Sequence, residues 1–419
     1  MSHPDHSDLP PRVVMMGLGY IGLPTAAVIA RAGIRVTGVD VDQRVVDTVN
    51  AGGVHIEEAD LDALVHEVVA AGRLTAALAP VEADVFVIAV PTPIAADKRP
   101  DVTYVLEAAR ALAPVLARGN LVILESTSPV GTTDAVCRLL AELRPDLVFP
   151  ASSAGQPDVH VAYCPERVLP GHILRELVAN DRSLGGISPA CAEAARAFYE
   201  RFVQGACTLT RARVAEMVKL AENSFRDVNI AFANELSLLA DTLNVDVWEV
   251  IRLANRHPRV QILSPGPGVG GHCIAVDPWF LVAADPAQAR LIRTAREVND
   301  GKTDYVVERA RALLAAAPQA RAACLGLAFK ANIDDFRESP ALAVAAQLAS
   351  EFGERIAVVE PFASELPEVI AGSGAALVSL DQALATCEIV ILLVDHDAFR
   401  AIEPGSLARH TVYDTRGIW

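Results

Sequence analysis

The sequence predicts an α/β protein built from two doubly wound domains joined by a long central helix. Three observations carry that expectation. Short β-rich runs alternate with Ala-rich helical runs over the first third of the 419 residues. The C-terminal region, from about Arg321 onward, repeats the alternation. Between them, the stretch from Arg211 to about Leu243 keeps helical periodicity with few breakers. Strands that alternate with helices specify parallel sheets covered on both faces.

In chain order, "RVVMMG" (Arg12–Gly17) and "RVTGVD" (Arg35–Asp40) read as the first two buried strands. "DVFVIAV" (Asp84–Val90) and "LVILEST" (Leu121–Thr127) are two more. Ala-rich segments such as "LPTAAVIARAG" and "VLEAARALAPVLARG" supply the crossover helices. In the last third, "RAACLGLAFK" (Arg321–Lys330) is a strand that ends at a turn, and "RIAVVEP" and "EIVILLVD" are strand-like. The helix between them, "SPALAVAAQLASEFG", carries Pro340 near its start, where a missing N–H costs nothing. These limits divide the chain into an N-terminal domain (1–210), a central helical region (211–305) and a C-terminal domain (306–419).

Composition narrows the function. Formal net charge is −16, from 36 basic and 52 acidic residues. That balance argues against a nucleic-acid or anionic-membrane surface as the main partner. The seven cysteines are widely and irregularly spaced and form no CxxC pair, so no metal site is expected. Reduced thiols fit a cytoplasmic protein. The opening "MSHPDHSDLPP" lacks the apolar core of a signal peptide, and no apolar run reaches membrane-spanning length.

"GLGYIG" (Gly17–Gly22) matches GxGxxG and lies between a predicted strand and a predicted helix. Asp40 closes the second strand eighteen residues after Gly22. That full context is the dinucleotide-binding fingerprint. Gly17 makes the tight turn, Gly19 admits the pyrophosphate, and Gly22 lets the helix pack against the sheet. The helix N-terminus faces the phosphates. Asp40 accepts from the adenosine ribose hydroxyls and repels a 2′-phosphate, which favours NAD over NADP. Arg44, one turn later, is the residue that would work against that preference. At the ends of the next strands, "VPTP" and "ESTSPVGTT" place the hydroxyls of Thr92, Ser126 and Thr127 where ligands of such sheets bind.

On the long helix, Lys219, Asn223 and Arg226 are spaced by four and three and so share one face. Met217, Leu220 and Phe225 point elsewhere and are expected in the core. A lysine buried between domains is paired or functional, as a proton carrier or an oxyanion stabiliser.

"GPGVGGHCIAVDP" (Gly266–Pro278) packs four glycines and two prolines around His272 and Cys273. Such a composition is a shaped loop. The cysteine alone is a candidate metal ligand, disulfide half, buried filler or nucleophile. Beside a dinucleotide site the nucleophile reading gains chemistry: a thiolate adds to an aldehyde, the adduct loses hydride to NAD⁺, and water hydrolyses the thioester. Asp277, four residues on, is placed to position that water, with His272 as the rival base.

Taken together, "GLGYIGLPTA", "PTP", "ESTSPVGTT", "YCPERVLPG", "EMVKLAENSFRDVNIAFANEL", "GPGVGGHCIAVDP" and "GLAFKANIDDFRESPA" resemble the UDP-glucose/GDP-mannose dehydrogenase family in order and spacing. The branch that oxidises UDP-N-acetyl-D-mannosamine is the most similar, through "ENSFRDVNIAFANELS", "NRHPRV" and "GPGVGGHCIAVDPWF". The resemblance implies two Rossmann-like domains, NAD, a UDP-sugar substrate, a homodimer and four-electron oxidation at C6. It implies Cys273 as nucleophile, Lys219 as general acid/base and Asn223 as a substrate and water contact. Asp277 and Thr127 would hold the hydrolytic water, and Glu166 would lie near the reacting carbon. Tyr20, Ile21, Thr92 and Arg337 join the cofactor side. Arg167, Val168, Arg226, His257, Arg259, Gly270, Phe329, Lys330 and Arg416 are implied substrate contacts, with one arginine reaching across from a partner subunit. The alternatives are a UDP-N-acetylglucosamine or UDP-glucose 6-dehydrogenase, or a nucleotide-sugar sensor without catalysis.

Overall fold

A computed structural model describes residues 10–56, 58–150, 156–169, 171–271 and 273–419. Residues 1–9, which include most of the polar opening, and His272 lie outside the described residues. The chain divides into two compact units, Met1–Ala221 and Glu222–Trp419.

The first unit is built on strands β1 (Arg12–Met16), β2 (Arg35–Val39), β3 (Leu74–Ala77), β4 (Val85–Ile88), β5 (Leu121–Leu124), β6 (His160–Tyr163), β7 (Arg182–Gly186) and β8 (Cys207–Arg211). They form one sheet in the order β3-β2-β1-β4-β5-β6-β7-β8. The first six strands follow the dinucleotide-binding order. Along β1, Val13 and Met15 face one apolar cluster while Val14 and Met16 face the other. β4 and β5 alternate in the same way, so the central strands are buried on both faces, which explains their unbroken apolar runs. The parallel expectation fails at one place: β6 and β7 pair antiparallel. The short helix Ile173–Ala179 is the only regular element in that connection among the described residues, too little for a full crossover back over the sheet.

The second unit carries β9 (Ala322–Leu325), β10 (Ile356–Val359), β11 (Ala376–Leu377), β12 (Ile389–Leu392) and β13 (Thr411–Asp414). Their order is β11-β10-β9-β12-β13, and all four neighbouring pairs are parallel. The repeat of the first unit extends to atomic detail. Gly17 (φ +95°) donates its N–H to Val39 O at 2.8 Å, and Gly326 (φ +93°) donates to Val359 O at 2.8 Å. The acid that ends the second strand then fastens the turn in both. Asp40 accepts from Leu18 N and Asp42 N, and Glu360 accepts from Leu327 N and Phe362 N.

The expected long helix is present as Ala212–Leu243, and the boundary between the units falls inside it. Its sidedness departs from the expectation. Leu220 is buried, but Met217 is 47% and Phe225 69% exposed. The face that sinks into the protein is polar instead: Lys219, Asn223, Asp227 and Asn234 are all buried there. Asn223, Asp227 and Asn234 find partners on distant segments, so their burial costs less than their type suggests.

Candidate active site

In the first unit the turn after β1 has the shape the motif predicts. A Cβ on Gly22 would sit 1.9 Å from Gly17 O, so only glycine lets the helix Gly22–Arg31 start so close to the strand. A Cβ on Gly19 would meet nothing within 4 Å. That open side leaves room for a pyrophosphate against the backbone at Gly19, Tyr20 and Ile21. No side chain caps this helix, which leaves its positive end for an anion. Asp40 stands at the end of β2 and is only half-buried. Arg44 is turned away into a pair with Asp42 at 2.7 Å, so its charge is spent there and it does not offset Asp40. These residues fit NAD.

The ends of β4 and β5 are tied together. The Thr92 hydroxyl donates to Thr127 O, and Ser126 Oγ donates to Val90 O at 2.7 Å. These bonds explain why β5 stops at Leu124 and not at Thr127. The chain turns out of the sheet so that the hydroxyl residues crowd its carboxyl edge.

Beside them lies a buried charge cluster whose members the sequence motifs did not connect. Glu166, just past β6, pairs with Arg182 of β7 at 3.0 Å, and both are almost fully buried. Glu166 also accepts from Arg167 N at 2.5 Å, and Arg167 reaches Asp181 O at 3.4 Å. Val168 packs partly buried against the neighbouring apolar cluster. Glu125, at the end of β5, accepts from the Tyr199 hydroxyl at 2.9 Å, and its other oxygen has no hydrogen-bond partner. Burial first, and then the nearby charge of Glu166, push the Glu125 carboxyl up to about 7. The residues are spread from 125 to 199, and only the fold of the sheet edge joins them.

Cys273, in the second unit, is the exposed cysteine of the seven; Cys207 is half-buried and the other five are buried. All seven are free. The Cys273 carbonyl accepts from Val276 N at 3.1 Å and Asp277 N at 2.8 Å, which curls the chain directly into the helix Asp277–Ala284. Asp277 is 3% exposed, and Asn223 Nδ2 donates to its Oδ2 at 2.5 Å. The acid expected near the nucleophile is thereby fixed in orientation. The glycines before Cys273 lie on the second sheet's loops. A Cβ on Gly270 would stand 2.4 Å from Glu338 O and 2.9 Å from Phe329 Cβ. Gly271 faces the Phe329 ring. Arg416 reaches over Gly266 and is held by Asp395 at 2.9 Å. The loop, Phe329 and Arg416 therefore belong to one surface, with half-buried Lys330 next in the chain. Arg337 pairs with Asp335 in the same unit.

Lys219 is buried one turn before Asn223 on the same helix. Arg226 shares the expected face only at its edge and is exposed. His257 and Arg259 lie on the exposed turn after the helix Val247–Ala254, where Arg259 N donates to His257 Nδ1 at 3.3 Å. Within the second unit the arrangement thus offers an exposed cysteine followed by a buried carboxylate held by an amide. That set suits covalent capture of a carbonyl followed by hydrolysis. No group of three or more His, Cys, Asp or Glu side chains suited to a metal occurs among the described residues.

Comparison with known proteins reads the same way. Residues 11–203 match the NAD binding domain of the UDP-glucose/GDP-mannose dehydrogenase family. Residues 213–301 match its central domain, and 323–419 its UDP binding domain. An NDP-N-acetyl-D-galactosaminuronic acid dehydrogenase of Ralstonia nicotianae is 55% identical over 97% of this chain and 96% of its own. A UDP-N-acetyl-D-mannosamine dehydrogenase of Escherichia coli is 54% identical over 97% and 99%. The solved UDP-D-ManNAc dehydrogenase of Pyrococcus horikoshii superposes with a TM-score of 0.85 at 37% identity, covering 97% of this chain and 96% of that one.

Proposed function

Because the chain belongs to the UDP-glucose/GDP-mannose dehydrogenase family, we propose that it oxidises C6 of UDP-N-acetyl-D-mannosamine to give UDP-N-acetyl-D-mannosaminuronate. The observation that carries this reading is the Cys273 loop: an exposed thiol whose following acid, Asp277, is buried and oriented by Asn223. The cofactor is NAD; the turn at Gly17–Gly22 and Asp40 would hold it, and it would supply the hydride acceptor for both oxidations.

In the first step Lys219 takes the proton of the C6 hydroxyl as hydride leaves, and the product is an aldehyde. The Cys273 thiolate then adds to the aldehyde carbon, and Lys219 steadies the oxyanion of the thiohemiacetal. Loss of the second hydride, with the hydroxyl proton, leaves a thioester. Water held by Thr127 and Asp277 attacks it, the C–S bond breaks, and Cys273 recovers its thiol. The family resemblance assigns Glu166 to the surroundings of the reacting carbon. The sum is one alcohol, two NAD⁺ and one water to one carboxylate, two NADH and three protons. Covalent capture keeps the aldehyde from escaping between hydride transfers.

Residues 1–210 form the NAD domain, 211–305 the central region and 306–419 the UDP-sugar domain, a division supported by the three matched segments. Gly270, Phe329, Lys330 and Arg416 take the nucleotide and sugar in the second unit, with Arg167, Val168, Arg226 and His257 as further contacts. The protein works as a homodimer. Support comes from the helix Ala212–Leu243, where Phe225, Phe232 and Leu239, seven residues apart, are 69%, 53% and 51% exposed, and Leu243 is 70% exposed. Arg259 enters the partner's substrate site. Cysteines that form no disulfide support a cytoplasmic reaction.

A second sugar has its own support, since a relative of equal likeness is named for N-acetylgalactosaminuronic acid. The test is NADH formation with UDP-N-acetylmannosamine, UDP-N-acetylgalactosamine, UDP-N-acetylglucosamine and UDP-glucose at matched concentrations, with product masses. The proposal expects UDP-N-acetylmannosamine to have the highest kcat/KM by at least about tenfold. Preference for UDP-N-acetylgalactosamine would replace the sugar. Binding without NADH from any of them would make the protein a sensor.

A further inference from the structure

The cysteine loop is fastened to the long helix at both ends. At its far end Asn223 holds Asp277. At its near end the Gly266 N–H donates to Asn234 Oδ1 at 2.9 Å. The two asparagines are eleven residues apart on one helix, about 16 Å along its axis. The tied residues Gly266 and Asp277 are also eleven positions apart, and such a span fully extended reaches about 36–40 Å. The loop therefore has slack, and its path depends on what ties it.

We propose that Asn234 is a positioning residue for the nucleophile: it fixes the near end of the Gly266–Asp277 loop and so sets where Cys273 is presented. The inference rests on the reading of Cys273 as the nucleophile.

Asn234 is fully buried, and its amide cannot turn over. Its Nδ2 donates to Asn299 Oδ1 at 2.9 Å, which leaves Oδ1 to face Gly266. Asn299 is itself oriented, because its Nδ2 donates to Asp227 Oδ1 at 2.8 Å. Asp227 is held by Arg296 at 2.6 Å, both buried, and Arg296 also pairs with Asp300. The chain Arg296–Asp227–Asn299–Asn234–Gly266 thus runs from a buried ion pair to the loop, and each member fixes the polarity of the next. Thr303 adds a second tie by donating to Pro267 O at 2.9 Å. The charged groups of this network are Asp227, Arg296 and Asp300; Lys302 donates at 2.7 Å to Ser237 Oγ, on the same long helix as Asn234, and the Arg416 guanidinium reaches over Gly266. A loop carrying a nucleophile gains most from such a tie, since displacement of about 1 Å costs about a hundredfold in rate.

The test compares wild type, Asn234→Leu and Asn234→Asp in the full-length protein. Amide hydrogen exchange of the peptide spanning 266–277 reads the tie without any turnover. Asn234→Leu should speed exchange there at least about tenfold and lower kcat about a hundredfold, while the exchange of residues 12–40 and the affinity for NAD stay within twofold. The carboxyl introduced by Asn234→Asp, when protonated, can accept from Gly266 and donate to Asn299. Its kcat should therefore recover toward wild type as the pH is lowered, and fall relative to wild type as it is raised. Wild-type loop exchange and kcat in Asn234→Leu would overturn the proposal, as would a loss shared by NAD affinity and exchange throughout the chain. Should Asn234→Leu fail to fold, Asn234→Asp decides alone: a kcat ratio to wild type that ignores pH overturns it. Full turnover in Cys273→Ser would remove the nucleophile reading, yet loop exchange would still report whether Asn234 ties the loop.

Discussion

Replacing Glu125 by Gln should stabilise the protein in a pH-dependent way. Glu125 is fully buried at the end of β5, with one oxygen bonded to the Tyr199 hydroxyl and the other without a partner. Glu166 and Arg182 lie beside it, and burial with the charge of Glu166 pushes its carboxyl from 4.5 to about 7. Unfolded, the group loses its proton near 4.5; folded, it keeps it until about 7. Between those values folding takes up a proton, so stability falls as the pH rises, and above 7 the cost is constant at about 3 kcal/mol. Glutamine has the shape of the protonated acid, still accepts from Tyr199 and never ionises. Urea unfolding of wild type and Glu125→Gln at pH 5 and pH 8, followed by far-ultraviolet circular dichroism, measures the difference. The advantage of the variant should be about 2–3 kcal/mol larger at pH 8 than at pH 5. An advantage independent of pH, or a variant less stable than wild type at pH 8, would refute the reasoning.

Gly22→Ala puts a Cβ 1.9 Å from Gly17 O, and it should cost about 3 kcal/mol and weaken NAD binding more than about tenfold; calorimetric titration with NAD checks it, and wild-type affinity would contradict the close approach. Lys302 is buried, and desolvation lowers its ammonium to about 8. The unfolded chain therefore binds the extra proton between 8 and 10.5, and Lys302→Met should gain about 2–3 kcal/mol at pH 7 and lose that gain as the pH rises from about 8 to 10.5, read by the same urea titrations. Inactive Cys273→Ala and Arg259→Ala subunits, mixed and allowed to exchange, should regain activity through hybrid dimers with one intact site. A mixture that stays inactive after confirmed exchange would place Arg259 outside the partner's site.

What was legible in the sequence had local spacing. The Gly17–Gly22 turn with Asp40, the Gly266–Asp277 loop and the span of the long helix all follow from residues near one another in the chain. What was not legible depends on partners far away. Met217 and Phe225 read as core because apolar residues usually are, while the buried face of that helix is polar and is satisfied by Asp277, Arg296 and Asn299 from later segments. Arg226 was grouped with Lys219 and Asn223 by helical period alone, which fixes direction but not what lies opposite. Glu125 falls inside the strand expected over Leu121–Thr127, and nothing local announces that Tyr199, Arg182 and Glu166 converge on it. The antiparallel β6–β7 junction left no trace either, since the residues of a strand do not record its neighbour's direction.

The central claim is that one cysteine carries the substrate through both oxidations. Its most direct test is the number of NADH formed per UDP-N-acetylmannosamine when the sugar nucleotide is limiting, with a carbonyl-trapping reagent present. The covalent route predicts two NADH per sugar and no trapped aldehyde, and nearly complete loss of acid product in Cys273→Ser. One NADH per sugar with the aldehyde recovered in the trap, or an unimpaired Cys273→Ser enzyme, would contradict it.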